Sequence, residues 1–382
     1  MSLNGNIYSN NAFKKETLYF YKNKQLNRDL FLKSTEENNS NKNNNKQNAQ
    51  IIDLKGHYIT PTLIDQHIHG GFGIDFNSSD EEQIRSLLKK AKKLGHGGIL
   101  ATLTPDSIEK LNSQMNIIRN IMKNPNSNEA LILGINLEGP FFNPKKAGIH
   151  SPNILLKPTI DNVNQLNLDE VKVMTIAPEL DDNFDTIKYL NSLGIITSAG
   201  HCEASAEEIK NSQVKCITHI FNAMPGLHHR EPTIVNEGLF NNEIYTEVNT
   251  AFELLSPQTM DLIYSIKDHD KIIFISDSLK GAANGSNCFK MGDKLITIDE
   301  NEIAKDCDGI LAGSIKLMGE VASKIINNTK ITFSDFIKFA STNPLNLLKV
   351  NKFNYLEPNS KPSFTIWDKD TLKPLKTFIE GE

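Results

Sequence analysis

Two hydrophobic periods alternate along the middle of the chain. Eight short apolar runs, "YITPTLID", "GILATL", "ALILGINLEG", "VKVMTIAPE", "GIITSAGH", "KCITHIFNA", "EIYTEVN" and "KIIFISDS", have the length and β-branched content of buried strands. Most are separated by segments with helical spacing. In "SSDEEQIRSLLKKAKKLG" the apolar residues Ile84, Leu87, Leu88, Ala91 and Leu94 fall on one face, a Ser79 to Glu82 capping box is expected to open the helix, and Gly95 to close it. "SIEKLNSQMNIIRNIMK", "DTIKYLNSLG", "SAEEIKNS" and "SPQTMDLIYSIKDH" read the same way. Eight βα units of this size predict an α/β fold, a (β/α)8 TIM barrel over residues 58–350. A doubly wound open sheet is the structural alternative, and it is disfavoured because no G-x-G-x-x-G follows the first strand.

Outside that span the pattern changes. "ETLYFYKNKQLNRDLFL" near the amino end, and "SFTIWD" and "KTFIEG" near the carboxyl end, read as short strands separated by turn residues. Residues 1–57 and 351–382 are therefore expected to pair into a small β-sandwich domain beside the barrel. The stretch 34–50, "STEENNSNKNNNKQNAQ", offers almost nothing to bury and is expected to be a mobile loop.

Composition narrows the function classes. With 382 residues, 38% hydrophobic and 23% charged, the chain has the make-up of a globular protein with a large core. A formal net charge of −5 gives no general attraction to nucleic acid. The four cysteines, Cys202, Cys216, Cys288 and Cys307, lack C-x-x-C spacing and read as reduced thiols. No apolar run is long enough to span a bilayer and the amino terminus lacks a secretion signal, so a cytoplasmic protein with no membrane partner is expected.

Barrel enzymes place their chemistry at the carboxyl ends of the strands. Those ends carry His67 and His69 after the first strand, Glu138 after the third, His201 after the fifth, His219 in the sixth and Asp277 after the eighth. Any one of these alone reads most simply as a hydrogen-bonded core or surface residue. Four of the chain's ten histidines at so few positions point instead to a metal site, and imidazole with carboxylate suits zinc, iron or a similar divalent ion. In a strand the side chains alternate, so His67 and His69 share a side.

The motifs "PTLIDQHIHGG", "INLEGPFFNPKKAGIHSP", "SAGHCEA", "THIFNAMPGLHHREP", "FISDS", "LAGSIKLM" and "STNPLNLL" together resemble the N-acetylglucosamine-6-phosphate deacetylases of the amidohydrolase superfamily. The resemblance runs from about residue 51 to the end. It implies that Glu138, His201 and His219 hold a catalytic metal, that His67 and His69 supply a second ion, and that Asp277 is the acid/base. It further implies substrate contacts from His150, Asn222 and the backbone amides of Ala223 and Met224. Arg230 matches an arginine that reaches a phosphate, often across a dimer interface, and "LAGS", with Leu311, Gly313 and Ser314, would form a tight loop beside the acyl group. One or two divalent ions (Zn or Fe), a small amino sugar phosphate as substrate and a homodimer are what the family likeness implies.

The pattern breaks on the substrate side. "NTAFELLSP" puts Ala251 and Leu254 where the family has the aspartate and histidine of D-G-x-H. "SLKGAANG" replaces an A-x-x-P-A-G style loop and brings in Lys280, either a new positive charge near substrate or a solvated side chain. Thr62 stands in place of a first-strand glycine, expected to be a structural matter. The leading expectation is hydrolysis of N-acetylglucosamine 6-phosphate to glucosamine 6-phosphate and acetate in amino sugar catabolism. The alternatives are a deacetylase of the galactosamine isomer or of an unphosphorylated sugar, another amidohydrolase, and a sugar-phosphate binding protein without turnover. A cyclic amide hydrolase with a carboxylated lysine is disfavoured, because "VKVMTIAPE" has no lysine at its end.

Overall fold

Long apolar runs become parallel strands when helices can cover one face and a closed lumen the other. In the computed structural model, which describes residues 2–21, 24–26, 51–350 and 362–380, eight such strands follow one another around a barrel. They are β1 (Leu63–Ile68), β2 (His96–Leu103), β3 (Leu131–Phe141), β4 (Val171–Ile176), β5 (Ile196–Ala199), β6 (Cys216–Ile217), β7 (Tyr245–Asn249) and β8 (Ile272–Ile275). Each pairs in parallel with its sequence neighbour. At the carboxyl ends of β1 and β8 the circle is drawn together by two bonds of 2.9 Å, Asp277 N–H to His67 O and His69 N–H to Ser278 O.

Strand alternation sends successive barrel residues into different clusters. Leu63, Ile99, Ala101 and Met174 pack outward with Ile84, Leu87, Leu88 and Ala91 of α1 (Glu81–Lys93). Ile64, Leu100 and Val173 join Leu345 and Leu348 of the final helix, Asn343–Leu348, in a separate cluster. The α1 capping box is formed by Asp80 and Gln83, not by Ser79 and Glu82. Ser79 is already engaged: its hydroxyl accepts from Asp75 N–H at 3.3 Å, and its carbonyl accepts from Gln114 Nε2 at 2.7 Å.

Strand-like "YITPTLID" divides at Pro61. Ile51–Pro61 pairs antiparallel with Phe364–Trp367 and parallel with Ser2–Ser9, so Tyr58–Pro61 lies in the terminal sheet and the barrel begins at Leu63. The six described terminal strands form one sheet around Leu3, Ile7, Leu18, Phe20, Ile59, Phe364 and Ile366. Residues 34–50 lie outside the described residues. Trp367 joins sheet to barrel: it donates to Thr60 Oγ1 at 2.8 Å and packs edge-on against Phe333 at 5.4 Å.

Between β8 and the last helices the chain builds a four-stranded antiparallel sheet from Cys288–Met291, Lys294–Ile298, Ala304–Lys305 and Leu311–Gly313. "LAGS" is thus an edge strand and its exit rather than a tight loop. Among the described residues no helix is long and apolar enough to cross a membrane.

Candidate metal and active site

Glu138, near the end of β3, lies at the centre of the barrel mouth. Its Oε1 is 3.2 Å from His201 Nε2 and 3.0 Å from His219 Nε2, and those two nitrogens are 3.0 Å apart. On its other side His67 Nε2 is 3.3 Å from Oε1, and His69 Nε2 is 3.3 Å from Oε2. Two buried groups that could hold a metal ion therefore share one carboxylate: His67, His69 and Glu138, and Glu138, His201 and His219. Four ligands about 2.0 to 2.1 Å from a tetrahedral ion stand roughly 3.3 Å from one another, and the observed separations of 3.0 to 3.3 Å fit that spacing.

The ring orientations suit the same purpose. His201 Nδ1 donates to the Lys146 carbonyl at 2.9 Å and the ring stacks on Phe142 at 4.0 Å, leaving Nε2 directed at Glu138. A ring nitrogen tied to a backbone carbonyl or a carboxylate fixes the tautomer that a ligand needs. His67 Nε2, His69 Nδ1 and His219 Nδ1 are buried without hydrogen-bond partners among the described residues. Buried polar atoms are otherwise nearly always paired, so the orphaned His67 Nε2 facing Glu138 is an independent sign of a ligand.

Charge distribution within the cluster is uneven. Burial disfavours the charged form of Glu138, yet the His67 charge and hydrogen bonds from His201 and His219 hold its carboxyl well below the usual range. Burial likewise lowers His67, but Glu138 and Glu247 outweigh it and keep that imidazole well above its ordinary value. His69 is lowered by burial and raised more strongly by bonds to Asp277 and Glu138, to about 9. His201 is lowered by its burial.

Asp277 follows β8. Its Oδ1 is 3.3 Å from His69 Nε2 and its Oδ2 accepts from Asn249 Nδ2 at 3.1 Å. No helix begins there: the next element is the strand Cys288–Met291, so a helix-capping role for this aspartate has no basis. Asp277, His201 and His219 all adopt left-handed backbone, with φ of 49°, 48° and 29°. Non-glycine residues rarely do so, and such strain collects at functional sites. Each strand end turns sharply inward, which sequence periodicity does not reveal.

Above the cluster lies a cavity of about 690 Å3, within the range of small-molecule sites. Its wall includes His150, Asn222, Ala223, Leu254, Leu311 and Gly313, with His69, Glu138, His201, His219 and Asp277. Burial pushes the His150 imidazole down to about 3, so it is neutral at ordinary pH. Lys145, Lys146 and Lys294 add cations to the wall; sequence reading passed over them because isolated lysines are usually solvent-facing.

Three expected contacts are not brought to this wall. Met224 is buried in the barrel core. Ser314 is taken up structurally, its N–H bonding to Asp277 O at 2.9 Å and thereby pinning the aspartate's backbone. Arg230 is exposed on the loop beyond Asn222, away from the lining of its own chain's cavity. Lys280 lines a neighbouring cavity of about 280 Å3 and pairs with Asp75 at 3.1 Å. Ala251 is buried, whereas Leu254 reaches the main cavity.

Glu247 and Asn249, which contact His67 and Asp277, were not expected. Their signal was two polar residues spaced by two in the strand run "YTEVN", which puts both on one side of β7.

A barrel with histidines and a shared glutamate at its mouth defines a class, and comparison with known proteins supports it. The sequence profile of the Amidohydrolase family matches residues 58–382, and the chain belongs to that family. It is similar to an N-acetylglucosamine-6-phosphate deacetylase of Lysinibacillus sphaericus, 26% identical over 332 residues covering 85% of each chain. It also matches an N-acetylgalactosamine-6-phosphate deacetylase of Escherichia coli O157:H7, 24% identical over 87% of this chain and 89% of that one. Among solved structures, the N-acetylglucosamine-6-phosphate deacetylase of Thermotoga maritima superposes with a TM-score of 0.84 over 100% of this chain and 99% of its own, at 24% identity. That superposition establishes the shared fold.

Proposed function

We propose that this chain hydrolyses the acetamide of N-acetylglucosamine 6-phosphate to glucosamine 6-phosphate and acetate, as a step of amino sugar breakdown in the cytoplasm. The observation that carries the reading is the arrangement of Asp277 beside two imidazole–carboxylate groups sharing Glu138, at the floor of a lysine-edged cavity. The names of the similar deacetylases support the substrate class. Glu138, His201 and His219 would hold one divalent ion, zinc or iron, and His67 with His69 a second. Such an ion, when bound, lowers the pKa of a water to about 7 and polarises an amide carbonyl.

The chain's own groups do the rest. The Asp277 carboxylate takes a proton from the attacking water and delivers it to the departing nitrogen, because an amine leaves poorly without one. Asn249 holds one carboxylate oxygen and leaves the other facing His69. His150, neutral, is suited to hydrogen-bond the sugar or the acyl oxygen without adding charge. Lys145, Lys146 and Lys294 suit a dianionic phosphate, and Asn222 and Ala223 edge the same cavity. Arg230 would come from the second subunit of a dimer.

A second reading rests on Leu254. It lines the cavity and offers no hydrogen bond where the resembled family has histidine, so the galactosamine isomer or an unphosphorylated sugar is the competing substrate. Acetate release should be measured with N-acetylglucosamine 6-phosphate, N-acetylgalactosamine 6-phosphate and N-acetylglucosamine, alongside metal content. The first substrate should give the highest kcat/KM. Preference for another replaces the substrate assignment, and bound metal without turnover on all three would remove the deacetylase reading.

A further inference from the structure

We infer that Glu247 is a positioning residue that fixes the tautomer of His67 and thereby sets the affinity of the second ion site, an inference that rests on the metal reading above but not on the identity of the sugar. Glu247 sits on β7 with 1% of its surface exposed. Among the described residues, its hydrogen-bond partners are all donors. Oε1 accepts from Gln66 Nε2 at 2.7 Å, and Oε2 accepts from the His67 ring at Nδ1, 3.0 Å away, and from the backbone N–H of His219 at 3.3 Å. Among the described residues its one ion-pair partner is His67.

A carboxylate surrounded by donors in the middle of a barrel is costly to bury and contributes nothing to apolar packing. Its geometry does have a consequence for His67. With Nδ1–H committed to Glu247, Nε2 is the nitrogen left to an ion, and it is the orphaned atom that faces Glu138. A carboxylate bonded to the outer nitrogen of a ligand histidine raises its basicity and holds its ring plane, and loss of such a partner typically weakens metal binding 10- to 100-fold.

Its neighbour differs. Among the described residues His69 Nδ1 has no hydrogen-bond partner, so of the pair only His67 has its outer nitrogen fixed by a carboxylate. The same Oε2 also receives the N–H of His219, whose backbone is held in the left-handed region. One carboxylate thus touches a candidate ligand of each site, through the ring at one and through the backbone at the other. Replacement by glutamine keeps the shape, and with the Gln66 amide turned to match its oxygen can still accept from His67, but the negative charge that raises the ring's basicity is lost.

Metal-stripped protein should be titrated with Zn2+ and with Co2+, reading ions per chain by elemental analysis and ligand environment by Co2+ absorption. Wild type is expected to take two ions. Glu247→Gln should weaken the second about 10- to 100-fold and the first no more than about threefold, the latter being bonded only through the His219 backbone. In a His67→Ala background Glu247→Gln should have no added effect, since both act through one ring. Equal uptake of the second ion by wild type and Glu247→Gln, or additive losses in the double variant, would overturn the inference.

Should Glu247→Gln not fold, 15N-histidine spectra of the two-ion wild type decide. A strongly downfield Nδ1–H on His67 is expected, and its absence overturns the assignment. No uptake of any ion removes the metal reading as well. Two ions without acetate release removes the deacetylase reading and leaves the role of Glu247 to be judged by the titration.

Discussion

At the scale of single residues, the chemistry converges on one carboxylate whose backbone is strained. Asp277 is held by its N–H to His67 O, by Ser314 N–H to its own carbonyl, and by Asn249 at its side chain. Three ties on one residue keep Oδ1 beside His69 at 3.3 Å, with His67 Nε2 at 3.8 Å. Asp277→Asn is therefore expected to lower kcat about 10²- to 10⁴-fold, the usual worth of a general acid/base, with the ion at Glu138, His201 and His219 retained on elemental analysis. An unchanged rate would remove the acid/base role. Most of this site was legible before the fold, because H-x-H, L-E-G-P, G-H, T-H and S-D each end an apolar run. Glu247 was not, since a charged residue in a strand reads as a solvent-facing position until closure of the barrel buries it. Ser314 turns away for the opposite reason: a loop motif says which residues are near a cavity, not which way each one turns.

At the scale of elements, apolar periodicity was enough to locate all eight barrel strands, because burial on both faces demands continuous apolar runs. Boundaries followed competition for hydrogen bonds instead, as at Ser79 and Asp80. The helix Ile234–Phe240 went unread, being only seven residues long and hidden behind a glycine- and histidine-rich loop. Thr62 shows a substitution absorbed by its neighbour: a Cβ on Gly97 would fall 1.9 Å from Thr62 Oγ1, so the side chain gained just before β1 occupies the space left by glycine on β2. Lys267 ties two helices, ending Pro257–Ile266 and donating from Nζ to Asn241 O at the end of Ile234–Phe240, at 2.6 Å. Burial lowers its pKa to about 8, below the ordinary value near 10.5. Between those values the unfolded chain binds the proton and the folded chain does not. Stability should therefore rise with pH from about 8 to about 10.5, by up to roughly 1.4 kcal/mol per unit from this group. Denaturant titrations of wild type and Lys267→Met across that window should diverge, the variant lacking the rise. Parallel curves would show that Lys267 keeps its charge and titrates alike in both states.

At the scale of the whole molecule, the terminal sheet packs on the barrel through Trp367 and the Phe333 helix, while the catalytic mouth is roofed by the sheet inserted after β8. One candidate ligand group is left outside this arrangement. Arg230 is exposed and lies off its own chain's cavity wall, although a guanidinium suits a phosphate better than the lysines that do line it. In a two-fold dimer the arginine of one subunit can complete the site of the other. The consequence is testable by complementation. Arg230→Ala and Asp277→Ala should each be nearly inactive on N-acetylglucosamine 6-phosphate, the first mainly through KM and the second through kcat. After the two variants are mixed under conditions that exchange subunits, half of the dimers are mixed. Each mixed dimer carries one site with an intact Asp277 from one subunit and an intact Arg230 from the other. Activity should recover to about a quarter of wild type by that count. Recovery requires both exchange of subunits and contribution of Arg230 across the interface, so native mass spectrometry of the two variants carrying tags of different mass establishes that exchange occurs. With exchange established, no recovery would place Arg230 in its own subunit's site or outside catalysis altogether.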